Sequence, residues 1–548
     1  MPQFSQENSP LKVFTPLPEG TLLATRLSGW ERLGDSFEFT LDLLAPKGAS
    51  VSFGDLLGKS ASASVTQASG VVRHYHGEIW EFTQNDSDDL FDHYLMVLRP
   101  RLARLSLTRQ SRIFQGKTAV DILRVVLKQV GGAKIEVSNS PPVRGYCTQY
   151  RENDLEFFLR ICSEAGITHY WEHSEVGHQL MLTDKTPNGP FQGELIYDQT
   201  VGGSHKAPFF HAWKLTQVMS TTGVALRDSH FQLFGQRLEG EANSPSPVAA
   251  GDLSLQSTGS VAAWQEDEYS AARYFDEVSP SGETQPGVLS SIFDGQERRA
   301  RILATSAASG SVRARAVGNC CQLMTGHAFS LIGHPNQSGK WLVVAGRHEI
   351  SVQGRSWVGE TCDVRCELQA ELAPLALVQA PWPPRPRPRV GGLLTAIVIG
   401  PENNEMFIDP NGRVQVRFWW DRDDNTSSCW VRVAQVWAGN SWGACFWPRV
   451  GHEVVVAFEN GDPDRPLIVG SLYNSKNAPP YTLPENQFIA GWKSLTQGGD
   501  PSQNFHQILM SDEKGAEVVH IHAESMFIAH QESHQFTKRP TLDVNFQG

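Results

Sequence analysis

The sequence predicts a mainly β protein with inserted helices, and three observations lead to that fold class. Five apolar segments of strand length alternate with turn signals between residues 393 and 485. Alternating apolar and polar residues also run through 20–98 and 328–349, whereas helix start and stop signals occur at only three places. Since one core rarely grows past roughly 250–300 residues, the 548 residues are expected to form several domains.

Residues 1–380 are expected to contain two β units. Near their start, Phe37, Phe39 and Leu41 alternate with polar residues, which is typical of a strand with one buried face. Strands are expected to return at 167–172, 179–183 and 328–349. Residues 240–261 are rich in Ser, Ala and Gly and lack a stable period, which favours a mobile loop or an irregular connector.

Three amphipathic helices are predicted as inserts in this region, near 117–131, 153–166 and 294–310. The capping residue that should start each helix and the glycine that should stop it are Thr118 and Gly131, Asn153 and Gly166, and Asp294 and Gly310. A carboxylate follows each start three residues later, at Asp121, Glu156 and Glu297. We expect all three helices to pack against the β regions on either side of them.

Residues 381–392 form a predicted linker, because their alternating Pro and Arg favour a stiff polyproline helix. After it, residues 393–485 are predicted to close into a five-stranded barrel of the OB type. Its expected strands are 393–400, 413–420, 429–437, 452–459 and 466–473. Val414, Val416 and Phe418 share one side of the second strand, so we expect them in the barrel core.

Residues 486–548 are predicted to contain only short strands, at 507–510 and 517–522, which are too few to bury a core alone. We therefore expect them to need partner strands from other chains. Val519 and Ile521 are expected to point to the core, which leaves His520 and His522 facing water and disfavours a metal site there. The last seven residues, 542–548, resemble a protease-tag remnant, which leaves open a chain that continues beyond them.

No motif has the spacing that catalysis, cofactor binding or metal binding requires. Residues 333–340 resemble a phosphate-binding loop, but Trp341 stands where a hydroxyl should hold magnesium. The start of a calcium loop at 421–425 lacks the Gly and Glu that should follow. Cys362 and Cys366 have no second ligand pair. We therefore predict no catalytic, cofactor-binding or metal-ligating residue and no cofactor.

Charge argues against a nucleic-acid partner. The chain carries a formal net charge of −12. Within 393–485, seven Lys and Arg face eleven Asp and Glu, whereas phosphate binding needs clustered cations. The tryptophans of this region are therefore interpreted as core and interface anchors, at 419, 420, 430, 437, 442 and 447.

The first residues form no signal peptide, since they have neither a basic start nor an apolar run. No apolar stretch long enough to span a membrane occurs in the sequence. The eight cysteines are scattered, and we expect them to be reduced and mostly buried.

Several blocks at fixed spacing resemble one known family, the VgrG spike proteins at the tip of type VI secretion systems. The blocks of the barrel are 421–423, 428–433, 437–439, 442–443, 448–451 and 461–466. Further matching blocks lie at 111–115, 149–154, 164–167, 333–335 and 517–524, so the resemblance covers nearly the whole chain.

The resemblance implies a fold and a function. Residues 1–380 are similar to the hub of contractile-phage baseplates, with two β-barrel domains, and 486–548 to the start of a triple-stranded β-helix. The family implies a structural, non-enzymatic homotrimer that joins a hexameric inner tube and baseplate proteins to a tip-capping protein. It also implies cargo effectors or their adaptors as partners. Such a spike assembles in the bacterial cytoplasm and is then secreted or injected to puncture a target envelope.

Three alternatives remain open at this stage. The first is a spike that carries an effector or a hydrolytic activity. The second is the hub and spike of a phage tail or of an extracellular injection device. The third is a plain OB-fold protein that binds nucleic acid, which the acidic barrel disfavours.

Overall fold

A computed structural model of the protein describes residues 4–138, 141–187, 189–199, 207–256, 264–266, 286–358, 360, 362–377, 385–422 and 427–528. Its secondary structure is mainly β, with four α-helices in these residues. Three parts follow one another: an N-terminal body (described residues between 4 and 377), a barrel (393–473) and a C-terminal sheet (489–522). No helix among the described residues is long and apolar enough to cross a membrane.

The N-terminal body contains twenty-two strands. In chain order, β1 to β11 are Leu11–Phe14, Leu23–Arg32, Phe37–Pro46, Ser60–Thr66, Val72–Ser87, Phe91–Arg99, Arg109–Lys117, Lys134–Glu136, Arg144–Asn153, Thr168–His173 and His178–Thr183. β12 to β22 are Glu194–Tyr197, Phe209–Gln217, Gly223–Asp228, Leu238–Asn243, Val248–Ala250, Leu253–Leu255, Trp264–Glu266, Val312–Gly318, Ala328–Ile332, Gly339–Gln353 and Asp363–Pro374.

Twelve of these strands form one sheet in the order β1-β4-β5-β6-β3-β2-β21-β20-β12-β13-β19-β22. Because β21 pairs with β22 as well as with β20, the last six strands close into a ring. The first six strands continue from β21 through β2, so a single long strand joins the two β units. The expected pair of β units is therefore present, and the two share one core around Phe37, Phe39, Trp171 and Trp341.

The four helices are α1 (Phe53–Leu56), α2 (Ala119–Leu127), α3 (Asp154–Ala165) and α4 (Pro286–Ser309). The capping boxes predicted at Thr118 and at Asn153 are both formed. The predicted start of the third helix at Asp294 is wrong, because α4 begins at Pro286. Proline suits a first helical position, where its missing N–H has no intrahelical partner to lose. Glu297 lies inside α4 and pairs with Arg301 at 2.7 Å.

The expectation of an irregular connector at 240–261 is also wrong for its described part. Residues up to Asn243 belong to β15, which pairs with β14, and β16 and β17 form a hairpin. The small residues serve close packing, since a Cβ on Gly240 would lie 2.4 Å from the carbonyl carbon of Gln296 in α4. A Cβ on Gly251 would lie 2.6 Å from the backbone of Gln337. Residues 257–261 lie outside the described part.

Residues 385–392 contain no helix or strand, and residues 381–384 of the predicted linker lie outside the described residues. The barrel strands are β23 (Leu394–Ile399), β24 (Arg413–Phe418), β25 (Val431–Val433), β26 (Ala438–Gly439), β27 (Trp442–Gly443), β28 (Glu453–Phe458) and β29 (Pro466–Leu472). Five of them close in the order β23-β24-β25-β29-β28, which confirms the predicted barrel. Val414, Val416 and Phe418 lie in its core as expected.

The C-terminal sheet consists of β30 (Ile489–Lys493), β31 (Gln507–Ser511) and β32 (Val518–His522), paired in that order. The expectation that Val519 and Ile521 point to a core is wrong within this chain, because their side chains are 69% and 53% exposed. Among the residues that the structure describes, these three short strands have no second layer over this face. Residues 529–548, including the tag-like end, lie outside the described residues.

The cap of α3 provides a test of the local fold. Asn153→Ala removes the acceptor for the Glu156 backbone N–H, which lies 2.8 Å from Asn153 Oδ1. We expect the mutant to lose about 1 kcal/mol of stability, measured as a lower urea midpoint for loss of α-helical circular dichroism. Asn153→Asp keeps an acceptor and is the matched control. Equal losses in the two variants would contradict the role of the cap.

Candidate functional site at the junction of body and barrel

The candidate site is the junction where the barrel contacts the N-terminal body. The turn between β28 and β29 contacts β9 and the linker, and the linker in turn contacts α3. Asn460 and Gly461 adopt positive φ angles of 51° and 75°, which bring the chain round tightly. The Val390 backbone N–H donates to the Gly461 carbonyl at 2.8 Å, so the linker runs along this turn. The junction is thus built from short polar segments of three elements.

On the body side of the junction, one buried carboxylate contacts several arginines. Glu164 near the end of α3 lies 2.6 Å from Arg144, 3.1 Å from Arg160 and 3.1 Å from Arg387. Burial alone would raise the pKa of Glu164, but the guanidinium groups of Arg387, Arg144 and Arg160 outweigh it and hold that pKa well below its ordinary value. Glu164 is therefore charged at neutral pH and compensates the arginines around it.

Arg387 connects this cluster to the barrel. Its Nη1 donates to Asp462 Oδ2 at 2.9 Å, while its Nε lies 3.1 Å from Glu164 Oε1. Asp462 in turn accepts the Asp464 backbone N–H at 2.9 Å, which fixes the shape of the turn. One linker side chain thus holds a helix of the body and a turn of the barrel together.

Asp464 forms a second, direct contact with the body. Its Oδ1 accepts the Thr148 backbone N–H of β9 at 2.6 Å. The Thr148 carbonyl accepts a hydrogen bond from Arg160 Nη2 at 2.8 Å. Burial, with a contribution from the charge of Asp462, raises the pKa of Asp464 to about 7.

A third contact uses the loop after β14. Arg465 Nη2 donates to both carboxylate oxygens of Asp228, at 3.1 and 2.9 Å, and both side chains are almost fully buried. The guanidinium groups of Arg413 and Arg432 lie 5.2 and 5.1 Å from the ring centre of Phe231. Such charge-assisted hydrogen bonds and cation–π contacts fix orientation as well as distance.

Apolar contacts complete the junction. Ile113 of β7 packs against the core of the barrel. The ring of Tyr150 lies edge-on to that of Trp420, with centroids 5.9 Å apart. Trp420 was predicted to be a core or interface anchor, and within the chain it contacts both the barrel core and the body.

Among the described residues no group of three or more His, Cys, Asp or Glu is arranged to hold a metal ion. Cys362 and Cys366 are both free thiols. In segment 333–340, which resembles a phosphate-binding loop, residues 339–340 belong to β21. In segment 421–425, which resembles the start of a calcium loop, residues 421 and 422 are described, and residues 423–425 lie outside the described residues.

The central residues of the junction were missed by motif searching. Arg387 was read as part of a linker, and Glu164 as part of a packing helix. A usable signal was present, because a proline-rich segment with repeated arginines precedes a barrel whose turn contains Asp462 and Asp464. Only the fold shows that Glu164 is the third member of that group.

Arg387→Ala should loosen the joint. It leaves Asp462 without its guanidinium and Glu164 with two arginines, and hydrogen bonds to charged groups contribute about 1.5–3 kcal/mol. We expect amide hydrogen exchange at 460–466 to become about tenfold faster or more. Arg385→Ala is the matched control, since Arg385 is largely exposed and lies 4.0 Å from its acidic neighbour Asp35. Unchanged exchange in Arg387→Ala would contradict the role of Arg387.

The raised pKa of Asp464 predicts a pH dependence. The folded protein holds this proton up to about pH 7, whereas the unfolded chain releases it near pH 4. The folded state therefore binds more protons between these values, and this contribution to stability falls as the pH rises from about 4 to about 7. Asp464→Asn cannot titrate. The difference in melting temperature between Asp464→Asn and the wild type should grow in favour of the mutant over this range, and a constant difference would contradict the assignment.

Comparison with known proteins gives separate matches for the N-terminal body and for the barrel. A family model described as the phage tail baseplate hub (GPD) matches residues 30–354. A second, described as the type VI secretion system/phage-baseplate injector OB domain, matches residues 403–473. An Escherichia coli component of the type VI secretion system, described as similar to the bacteriophage T4 tail proteins gp27 and gp5, has the same fold. Its TM-score is 0.57 at 17% identity, over 84% of this chain and 100% of that one.

Named relatives align over almost the whole chain. The type VI secretion system spike protein VgrG1b of Pseudomonas aeruginosa is 33% identical over 531 residues, which span 95% of this chain and 68% of that protein. The actin cross-linking toxin VgrG1 of Vibrio cholerae is 31% identical over 545 residues, which span 95% of this chain and 46% of that protein. With its baseplate-hub and injector OB domains joined as described above, the chain belongs to the VgrG family of type VI secretion system spike proteins.

Proposed function

We propose that the protein works as a non-catalytic homotrimer that joins a hexameric inner tube and baseplate to a tip cap or cargo. In this proposal the N-terminal body faces the tube, and the barrel and C-terminal sheet form the shaft that punctures the target envelope. The protein assembles in the bacterial cytoplasm and leaves it by secretion or injection. The observation that carries the proposal is one apolar face of the C-terminal sheet.

The strand register defines that face. Trp492 pairs with Ile508, which pairs with Ile521, and Met510 pairs with Val519 in the neighbouring row. Since side chains at alternate positions share a face, these five large apolar groups lie on one side of the sheet. All five are exposed in the single chain, Trp492 by 60%.

The opposite face is mixed, since Leu509 and Val518 lie there beside polar side chains. His520 alternates with Val519 and Ile521, and its Nδ1 lies 3.2 Å from Nε2 of Gln507 on β31. His522 lies on the same side and contacts the Phe505 carbonyl through Nδ1 at 3.1 Å. A sheet with five large apolar side chains exposed on one face needs a second apolar layer over that face to be stable in water.

Two further copies of the same sheet provide such a layer. A closed symmetric assembly buries the same patch on every subunit. Burial of a fully exposed large apolar side chain contributes roughly 1.5–3 kcal/mol, so burying five partly exposed ones per chain favours assembly of the short strands. Burial between chains therefore explains how so small a sheet can bear load.

The apolar surface continues from the sheet onto the barrel. The β26–β27 hairpin exposes Trp437 and Trp442, whose rings meet edge to face at 5.0 Å between centroids. Nearby, Phe446 lies parallel to Trp492 with centroids 6.5 Å apart. Exposed aromatic groups of this kind are typical anchors of protein interfaces. The proposed interface thus runs along both the barrel and the sheet.

A spike that carries an effector is the second candidate. The Vibrio cholerae relative is named as an actin cross-linking toxin, and this chain spans 46% of its length. The sequence offers no catalytic motif of the kinds described above. Hydrolysis of peptidoglycan or protein by the purified chain, abolished by mutation of a defined residue, would favour this candidate over the structural one.

Oligomeric state tests the structural proposal. We expect native mass spectrometry of the wild type to give a trimer. Val519→Glu combined with Ile521→Glu places charges on the apolar face and should weaken the trimer at least tenfold, since burial of an unpaired charge is costly. His520→Glu, on the opposite face of the same strand, is the matched control and should remain trimeric. A wild type that stays monomeric at micromolar concentration would overturn the proposal.

A further inference from the structure

A cleft of about 880 Å³ opens beside the junction, on the surface of the chain. One wall is formed by β7 and the end of β9, and the other by the residues that follow β24. The cleft is separate from the apolar face of the C-terminal sheet, since none of that face's five residues lines it. It is large enough to hold several side chains of a bound segment.

The cleft is basic in an acidic protein. Arg109, Arg112, Arg151 and Arg422 line it, together with one carboxylate, Asp421. The chain as a whole has a formal net charge of −12. Four guanidinium groups around one opening therefore reverse the sign of the surrounding charge, and low-dielectric walls concentrate the field of such a cluster.

Three of the four arginines have no ionic partner within the described part of the chain. Arg112 pairs with the buried Asp154 at 3.2 Å. The Arg109 Nε–H donates to the Arg151 carbonyl at 2.8 Å. Arg109, Arg151 and Arg422 take part in no ion pair with a described residue. Their guanidinium groups are available to bind carboxylates.

The backbone is shaped to place these arginines together. The register of β7 against β9 shifts between Gln110 and Arg112, and Arg151 opposite that shift has a φ of +50°. The Arg151 backbone N–H donates to Ser111 Oγ at 3.0 Å, which holds this conformation. A bulge changes the direction in which side chains leave a strand, and a non-glycine residue at positive φ is retained at a cost of about 1 kcal/mol or more.

An apolar wall accompanies the charges. Trp419 is 65% exposed in the cleft, and its Nε1 donates to Thr395 Oγ1 at 3.1 Å, so the ring is held in place. Val125 of α2 is also exposed there. A fixed aromatic ring beside several arginines accommodates an apolar side chain flanked by acidic ones.

We infer that this cleft docks an acidic peptide segment of a partner protein, one with carboxylates around an apolar or aromatic anchor. The occupant is a peptide rather than a nucleic acid because the flanking barrel is acidic and would repel an extended polyanion. The inference goes beyond the proposed spike function and does not depend on trimer formation.

The experiment measures binding of short fluorescein-labelled peptides to the purified full chain by fluorescence anisotropy. The probe contains glutamates on both sides of two leucines, and its matched control has glutamines in place of the glutamates. We expect saturable binding of the acidic peptide, weakening as salt screens the charges over a Debye length of about 10 Å at 0.1 M. The glutamine peptide should bind at least about tenfold more weakly.

Two independent variants test the site. Arg109→Glu with Arg151→Glu changes the body wall, and Arg422→Glu changes the barrel wall. Each should weaken binding of the acidic peptide about tenfold or more. Arg347→Glu, at an exposed arginine on β21 outside the cleft, is the matched control and should bind like the wild type. Circular dichroism and native mass must match the wild type in all variants.

Several results would overturn the inference. They are no saturable binding by the wild type, equal binding of the glutamine peptide, and equal losses in the cleft variants and Arg347→Glu. Tighter binding of a single-stranded oligonucleotide than of the acidic peptide would identify a nucleic-acid site instead. Loss of the trimer in the cleft variants, with peptide binding unchanged, would show that a second copy of the chain occupies the cleft.

Discussion

The structure depends on how a buried carboxylate in the N-terminal body is linked to the barrel. Glu164 is compensated by three guanidinium groups, and one of them, Arg387, also contacts Asp462 in the barrel. Buried ions stabilise only when their partners are complete, because each charge has lost its hydration. Any displacement of the barrel relative to the body therefore leaves charges unpaired, which makes the junction resist bending as a unit.

The remaining features of the barrel follow from this rigid attachment. Arg465 with Asp228 and Thr148 with Asp464 hold two other sides of the same turn, so the barrel is fixed in orientation as well as position. The C-terminal sheet continues from the barrel, where Arg449 contacts both Glu405 and the Leu495 carbonyl. Its apolar face is therefore presented in one direction, which is what assembly with further copies requires.

Local chemistry made much of the fold predictable from the sequence. The helix caps at Thr118 and Asn153 each depend on a residue only three positions further on. The alternation of Val414, Val416 and Phe418 predicts which side of their strand is buried. Relations between distant segments were not predictable in this way. The small residues around Gly240 were interpreted as an irregular connector, although Gly240 permits close packing on α4. The role of Glu164 depends on Arg387, which lies more than two hundred positions away. The apolar pair Val519 and Ile521 was placed on the correct side of its strand but in a core that one chain does not provide.

The exposed apolar face of the C-terminal sheet should become buried when three copies of the chain assemble. Single-particle electron microscopy of the wild-type protein tests it most directly, because it shows symmetry and shape together. We expect threefold particles with a wide base and a narrow shaft, in which the C-terminal sheets meet on the axis. Uniform particles of the size of one chain, with the C-terminal sheet at the surface, would contradict it.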